Sequence, residues 1–174
     1  MKQKILVLDI DGTLTNTQKD ITPATKQAIR TILAKGHKVI LASGRPTPGV
    51  RYEKELELGK YGGYILSFNG AKVEECRAGE IVYQRILPGS IVSKIYDFAE
   101  THNCGLMTYR DGDIISAFEP DEYVLLESSM VSFAGVGVTM GNAQPALKAV
   151  ADYITDTNDN DGLLQVINKF ILNA

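Results

Sequence analysis

Short, unbroken apolar runs alternate along the chain with stretches of helical periodicity. Ile5 to Leu8 is apolar throughout and of strand length, the pattern of a parallel strand buried on both faces. Thr22 and Pro23 then mark a helix start, a capping hydroxyl followed by proline at the first helical position. Ala28, Ile29, Ile32 and Leu33 fall on one face of that helix, and Gly36 closes it. Lys38 to Ala42 reads as a second buried strand, Val50 to Leu58 as a helix rich in Glu and Leu, and Tyr64 to Phe68 as a third strand. Strands alternating with helices predict right-handed crossovers and a parallel sheet.

The pattern changes at Asn69-Gly70, a dipeptide that favours a tight hairpin turn, and Ala78-Gly79 offers another. Short antiparallel strands are expected at Val73 to Glu75 and Ile81 to Arg85. A helix from Ser90 to Thr101 follows, with Ile91, Ile95, Phe98 and Ala99 on one face, then a hairpin turning at Asp111-Gly112 between Leu106 to Tyr109 and Ile114 to Phe118. This is an α+β insert. From Val136 the βα pattern resumes, through a helix beginning near Pro145, a short strand Tyr153 to Thr155, and a last amphipathic helix using Leu163, Leu164, Val166, Ile167, Phe170 and Ile171. The expected fold class is α/β, a doubly wound parallel sheet interrupted by that insert.

With 174 residues, 44% of them hydrophobic, the chain can bury a core of one domain, or of one domain with a small insert. A net charge of −3 with scattered basic residues gives no electrostatic hold on a polyanion, so neither nucleic acid nor an anionic membrane is an expected partner. No apolar run approaches the roughly 20 residues that span a bilayer, and Met1 to Lys4 leads straight into the first strand rather than a signal peptide. Cys76 and Cys104 lack CxxC spacing and histidine companions, which argues against disulfides and zinc. A reducing cytoplasm is the expected compartment.

Candidate chemistry begins at Asp9-Ile10-Asp11-Gly12-Thr13-Leu14, directly after the first strand. Ligands of open parallel sheets bind at the carboxyl ends of strands, and residues two apart there can project to the same side. Adjacent carboxylates are costly unless a cation or shared proton relieves them, and Mg²⁺ is the natural relief. Alone, such a string is also a turn signal. Ala42-Ser43-Gly44-Arg45-Pro46 ends the second strand in the same way, offering a hydroxyl and backbone amides to a phosphate at the same sheet edge. Ser43 alone would be an ordinary loop serine. The pairing of the two stretches is what points to phosphate chemistry.

These stretches resemble the haloacid dehalogenase superfamily, and within it the Cof-like, type IIB-capped sugar-phosphate phosphatases. The likeness rests on Asp9 to Leu14, Ser43 to Pro46, the hairpin start Phe68 to Ala71, and the tail Gly135 to Ala143, Ala151 to Thr155 and Asn158 to Gly162. It implies a Mg²⁺-dependent phosphatase acting on a small phosphorylated metabolite. In that pattern Asp9 is the nucleophile that forms an aspartyl phosphate, and Asp11 is the general acid and base. The resemblance also implies that Asp9, Ile10, Asp11, Gly12 and Thr13, with Ser43, Gly44 and Arg45, surround the phosphoryl group. Mg²⁺ binds the Asp9 carboxylate and the Asp11 backbone carbonyl, and Asn69 and Gly70 lie on the substrate side. Residues 1–70 and 128–174 correspond to the core domain, and 71–127 to a partial cap.

The chain departs from the family after about Leu126. Members carry a lysine that neutralises the phosphoryl group and a later acidic loop that completes the metal site; neither has a counterpart here. The sequence passes from mid-cap to Ser128 to Gly135, which resembles the helix after that loop, so a segment on the order of a hundred residues is missing. Weak or absent activity follows, because losing one placed charge costs orders of magnitude in rate. Two other readings stay open: a non-catalytic phosphate- or metal-binding remnant, and a homo-oligomeric subunit completed by another copy. The apolar run Tyr123 to Leu126 is a candidate for the empty strand position, with Glu127 as a substitute metal ligand; the alternative is a cap helix starting at Pro120. Asp156 to Gly162 looks like a calcium loop but has Asp161 where such loops need glycine and Ile167 where they need glutamate, so a capping loop for the last helix is expected. His37 and His102 are expected at the surface or its boundary, and nothing places Lys148 or Lys169 at the phosphate.

Overall fold

The computed structural model of the chain describes residues 2–110, 113–116 and 134–173. Three strands, β1 (Ile5–Asp9), β2 (Lys38–Ala42) and β3 (Tyr64–Ser67), pair in parallel in the order of the sequence. The register sets Leu6 beside Val39, Leu8 beside Leu41 and Asp9 beside Ala42, so both chemically marked loops leave the same rim. Helix α1 (Pro23–Ala34) begins as its sequence dictates, with the Thr22 hydroxyl accepting from the Thr25 amide at 3.2 Å and Pro23 at the first position. Its Ile29 and Ile32 are fully buried and share one core with Leu8, Val39, Leu41 and Ile65.

The helix expected over Val50 to Leu58 is instead two short ones, α2 (Tyr52–Glu55) and α3 (Leu58–Tyr61), separated by Glu57 at φ 58°. Leu56 and Leu58 are both fully buried. Residues two apart lie on opposite sides of a straight helix, and the break lets both face inward. Asn69 and Gly70 take positive φ values of 53° and 91° in the turn into β4 (Lys72–Glu75), which pairs antiparallel with β3. Strand β5 (Glu80–Gln84) follows, giving the order β1-β2-β3-β4-β5. The hairpin read as the start of the insert therefore lengthens the central sheet.

Helix α4 (Gly89–His102) forms where expected, but of its anticipated inward face only Ala99 is buried; Ile91 and Phe98 are exposed, Phe98 stacking on His102 with ring centroids 4.0 Å apart. Strands β6 (Met107–Arg110) and β7 (Asp113–Ser116) pair antiparallel, and their turn lies outside the described residues. Strand β8 (Val138–Thr139), helix α5 (Pro145–Ala149) and strand β9 (Tyr153–Ile154) form a parallel βαβ unit. Helix α6 (Gly162–Ile167) continues as a wider turn to Leu172 and packs Leu163, Ile167 and Ile171 into the core that holds α1.

Two further expectations are corrected. Strand β1 is not buried on both faces: Ile5 is 64% and Val7 44% exposed, because β1 is the edge of its sheet and β8 and β9 pair only with each other among the described residues. His37 is not a surface residue but 4% exposed, its Nδ1 accepting from the Lys4 amide at 3.1 Å where β1 and β2 begin. Both cysteines are free. Among the described residues no helix is long and apolar enough to cross a membrane.

Candidate active site

Asp9 ends β1, and the chain then folds into a wide turn over Ile10–Leu14 with Gly12 at φ 78°. The turn is pinned from inside. Ile10 and Leu14 are buried, and the Ile10 carbonyl accepts from both the Thr15 amide (3.1 Å) and the Thr15 hydroxyl (3.0 Å). That anchoring leaves Asp9, Asp11, Gly12 and Thr13 on one cleft of about 190 Å³. Its far wall comes from the tail, through Val138, Met140, Asn142 and Leu147. Ile10 is not among the residues lining the cleft: its side chain belongs to the core and its carbonyl serves the turn itself.

Polar side chains of the tail hold the turn in place. Asn142 donates to the Gly12 carbonyl at 3.2 Å and accepts from the Asn158 amide at 3.1 Å. Asn158 donates to the Thr15 carbonyl at 3.0 Å, and the Asp159 carboxylate accepts from the amide and hydroxyl of Thr17 at 2.7 and 2.6 Å. The Thr22 hydroxyl donates to Asp161 at 2.6 Å. The loop Asp156 to Gly162 thus leads into the last helix while gripping the turn after β1. Those Thr17 hydrogen bonds hold the Asp159 carboxyl below its ordinary value. The sequence marked Asn142, Asn158 and Asp159 as part of the resemblance, but nothing in their spacing told which backbone groups they would meet.

Arg45 reaches across from the loop after β2, its Nη2 2.6 Å from one Asp11 carboxylate oxygen, and Lys19 sets its Nζ 2.9 Å from the other. Partial burial pushes the Asp11 carboxyl up, but the hydrogen bonds and charges of Lys19 and Arg45 outweigh it and hold the group below its ordinary value. Lys19 lies in an unmarked polar stretch, so its arrival here had no sequence signal. Ser43 and Gly44 stand one step back from the cleft, the Ser43 hydroxyl accepting from the Arg45 amide at 3.1 Å. Asn69 braces that loop: its amide donates to the Ser43 carbonyl at 3.2 Å, and a Cβ at Gly44 would come within 3.0 Å of its Oδ1. Gly70 completes the same turn at φ 91°. Glu127 and the run Tyr123 to Leu126 lie outside the described residues.

Two carboxylates on one cleft suit a Mg²⁺ ion, which keeps several waters and needs only one or two protein carboxylates. Among the described residues no third acidic, histidine or cysteine side chain joins them as a metal cluster. Lys148 and Lys169 stay away from the cleft's lining; Lys169 sits over the Tyr153 ring at 3.7 Å.

The family profile of haloacid dehalogenase-like hydrolases matches residues 6–124 and 128–167. "Putative phosphatase YxeH" of Bacillus subtilis (strain 168) is 35% identical over 97 residues, 55% of this chain and 36% of the relative. The chain thus spans about a third of that relative's length. A second Bacillus subtilis (strain 168) protein, "5-amino-6-(5-phospho-D-ribitylamino)uracil phosphatase YcsE", is 22% identical over 242 aligned positions, 97% of this chain and 96% of the relative. Among solved structures, a haloacid dehalogenase-like hydrolase from Bacteroides thetaiotaomicron superposes with a TM-score of 0.79 at 26% identity, over 98% of this chain and all of the other. With a profile match running from the first strand to the last helix, the chain belongs to the haloacid dehalogenase-like hydrolase family.

Proposed function

We propose that the chain is a Mg²⁺-dependent phosphatase of small phosphorylated metabolites that works through an aspartyl phosphate. The observation that carries this reading is the convergence of Asp9 and Asp11 on one cleft at the carboxyl rim of parallel strands. The phosphatase names of its relatives support it. In the first step a carboxylate oxygen of Asp9 bonds to phosphorus as the bond from phosphorus to the ester oxygen breaks, and Asp11 passes a proton to that leaving oxygen. In the second step Asp11 takes a proton from water, the water oxygen bonds to phosphorus, and the bond from Asp9 to phosphorus breaks, releasing phosphate.

Mg²⁺, held by the Asp9 carboxylate and the Asp11 backbone carbonyl, would offset negative charge on the phosphoryl oxygens. Thr13 and the turn after β1 position the two acids. Ser43 and Gly44 shape the loop that carries Arg45 to Asp11, and Asn69 and Gly70 brace it from the substrate side.

We also infer an internal gap close to residues 125–127, between a partial cap (71–127) and the two core segments (1–70 and 128–174). The profile match breaks there, and 242 aligned positions against a chain of 174 residues leave at least 68 positions of YcsE without a counterpart. The exposed edge of β1 fits the same reading. Turnover is then expected well below that of a complete site.

The test is hydrolysis of p-nitrophenyl phosphate with Mg²⁺ and with a chelator, for the natural chain and Asp9→Asn. Slow turnover that needs the metal and vanishes in the variant is the expected result. Turnover that survives Asp9→Asn would refute the nucleophile, and Mg²⁺ or phosphate binding with no turnover would identify a binding remnant.

A further inference from the structure

Lys19 and Arg45 come from different loops and take opposite oxygens of one carboxylate on the candidate cleft. Arg45 follows β2, at the rim that Asp9 also leaves from; like Lys19 it does not line the cleft itself and meets it through Asp11. Lys19 is presented by a closed turn: its amide donates to the Asn16 carbonyl at 3.0 Å, and the Asp20 amide donates to the Asn16 side chain at 2.8 Å. Its own carbonyl accepts from the Tyr52 hydroxyl at 3.2 Å, and its φ is 67°. Both side chains are substantially exposed, at 61% for Lys19 and 41% for Arg45, so neither is locked onto Asp11 by burial.

Exposed pairs of this kind contribute little to folding, so stability alone does not account for two cations on one acid. The charge balance does suggest a use. Lys19 and Arg45 bring two positive charges to a cleft that holds two carboxyl groups. A phosphate ester arriving as a dianion adds two negative charges there and offers three acceptor oxygens against a carboxylate's two. At equal distance a dianion is a stronger competitor for mobile cations than a carboxylate.

We propose that Lys19 is an anion-binding residue of this site, which together with Arg45 leaves Asp11 to engage the phosphoryl group of the ligand. The inference rests on the phosphatase reading above and names a residue that reading does not use. Lysine suits the role because its ammonium is a point charge on a flexible stem, free to move between two acceptors, while the planar guanidinium of Arg45 can grip two oxygens at once. Chemically, the ligand is a phosphate monoester or inorganic phosphate, and the exchange is one of hydrogen bonds only.

The test is binding of inorganic phosphate, followed by calorimetry in the presence of Mg²⁺, to the natural chain and to Lys19→Met, Lys19→Arg and Lys35→Met. Expected are a loss of about tenfold in affinity for Lys19→Met, recovery in Lys19→Arg, and no change for the distant surface control Lys35→Met. The decisive arm repeats Lys19→Met in an Asp11→Asn background, where no carboxylate competes for the ammonium. The loss should persist or grow there if Lys19 meets phosphate directly. If Lys19 serves only to hold Asp11, its substitution has no effect in that background and the proposal is overturned. Equal affinity for Lys19→Met and the natural chain overturns it too. A natural chain that binds no inorganic phosphate in the presence of Mg²⁺ defeats the phosphatase reading itself, and this inference with it.

Discussion

Among single residues, Gly162 is held to glycine by the backbone packed against it. A Cβ there would overlap the Asp156 carbonyl group, inside the loop that grips the turn after β1. Backbone cannot yield as a flexible side chain can, so Gly162→Ala should lower stability by about 2–3 kcal/mol, read as a drop in melting temperature. Asp9→Asn keeps the shape of its side chain, and it should shift the melting temperature far less than Gly162→Ala does while abolishing turnover. Asp9 and Asp11 were legible because two acids after an apolar run carry their chemistry in their spacing. Lys19 was not: its approach to Asp11 depends on a left-handed backbone at a residue type that seldom takes one, and no periodicity records that. His37 was hidden for a similar reason, since its burial comes from where β1 and β2 start side by side.

At the scale of elements, the sheet sorts its strands by protection. β2 lies between β1 and β3, whereas β1 is bonded on one side only among the described residues. Native-state amide exchange should therefore find the slowest amides in β2, with the outward-facing amides of β1 exchanging faster despite their apolar neighbours. Uniform protection of both strands would mean that something else, such as a second copy, pairs with β1 in solution. Strand positions were readable because apolar runs bounded by Gly, Pro and polar clusters specify strands locally. The split between α2 and α3 was not, because burying both Leu56 and Leu58 is a demand of tertiary packing that a helical count over Val50 to Leu58 does not contain. The exposed face of α4 shows the opposite case: the periodicity was right, but Ile91 and Phe98 stay exposed among the described residues while only Ala99 is covered.

Across the whole molecule, the two halves of the cleft meet through side chains as well as through the shared core. Asp159 bridges to Thr17, while Asp156 accepts from the Thr157 amide within the tail loop, and these hydrogen bonds hold both carboxyls below their ordinary value of 3.8. A carboxyl whose value is depressed in the folded state stabilises the fold above the ordinary value and loses that contribution as pH falls through the depressed one. The melting temperature should thus decline as pH drops below 3.8, and Asp159→Asn should flatten the decline. An unchanged slope in the variant would separate the Thr17 bridge from acid stability.

The same arrangement decides how the entrance can be reshaped. No backbone ladder fixes the distance between β1 and β8 among the described residues; Asn142 and Asn158 reach across to carbonyls of the opposite wall. These two asparagines are the spacers nearest the opening, while the Asp159 and Asp161 hydrogen bonds and the shared core hold the parts together behind them. Glutamine at either would act as a longer spacer and serine as a shorter one, so the entrance can be altered at single residues without rebuilding the framework behind it.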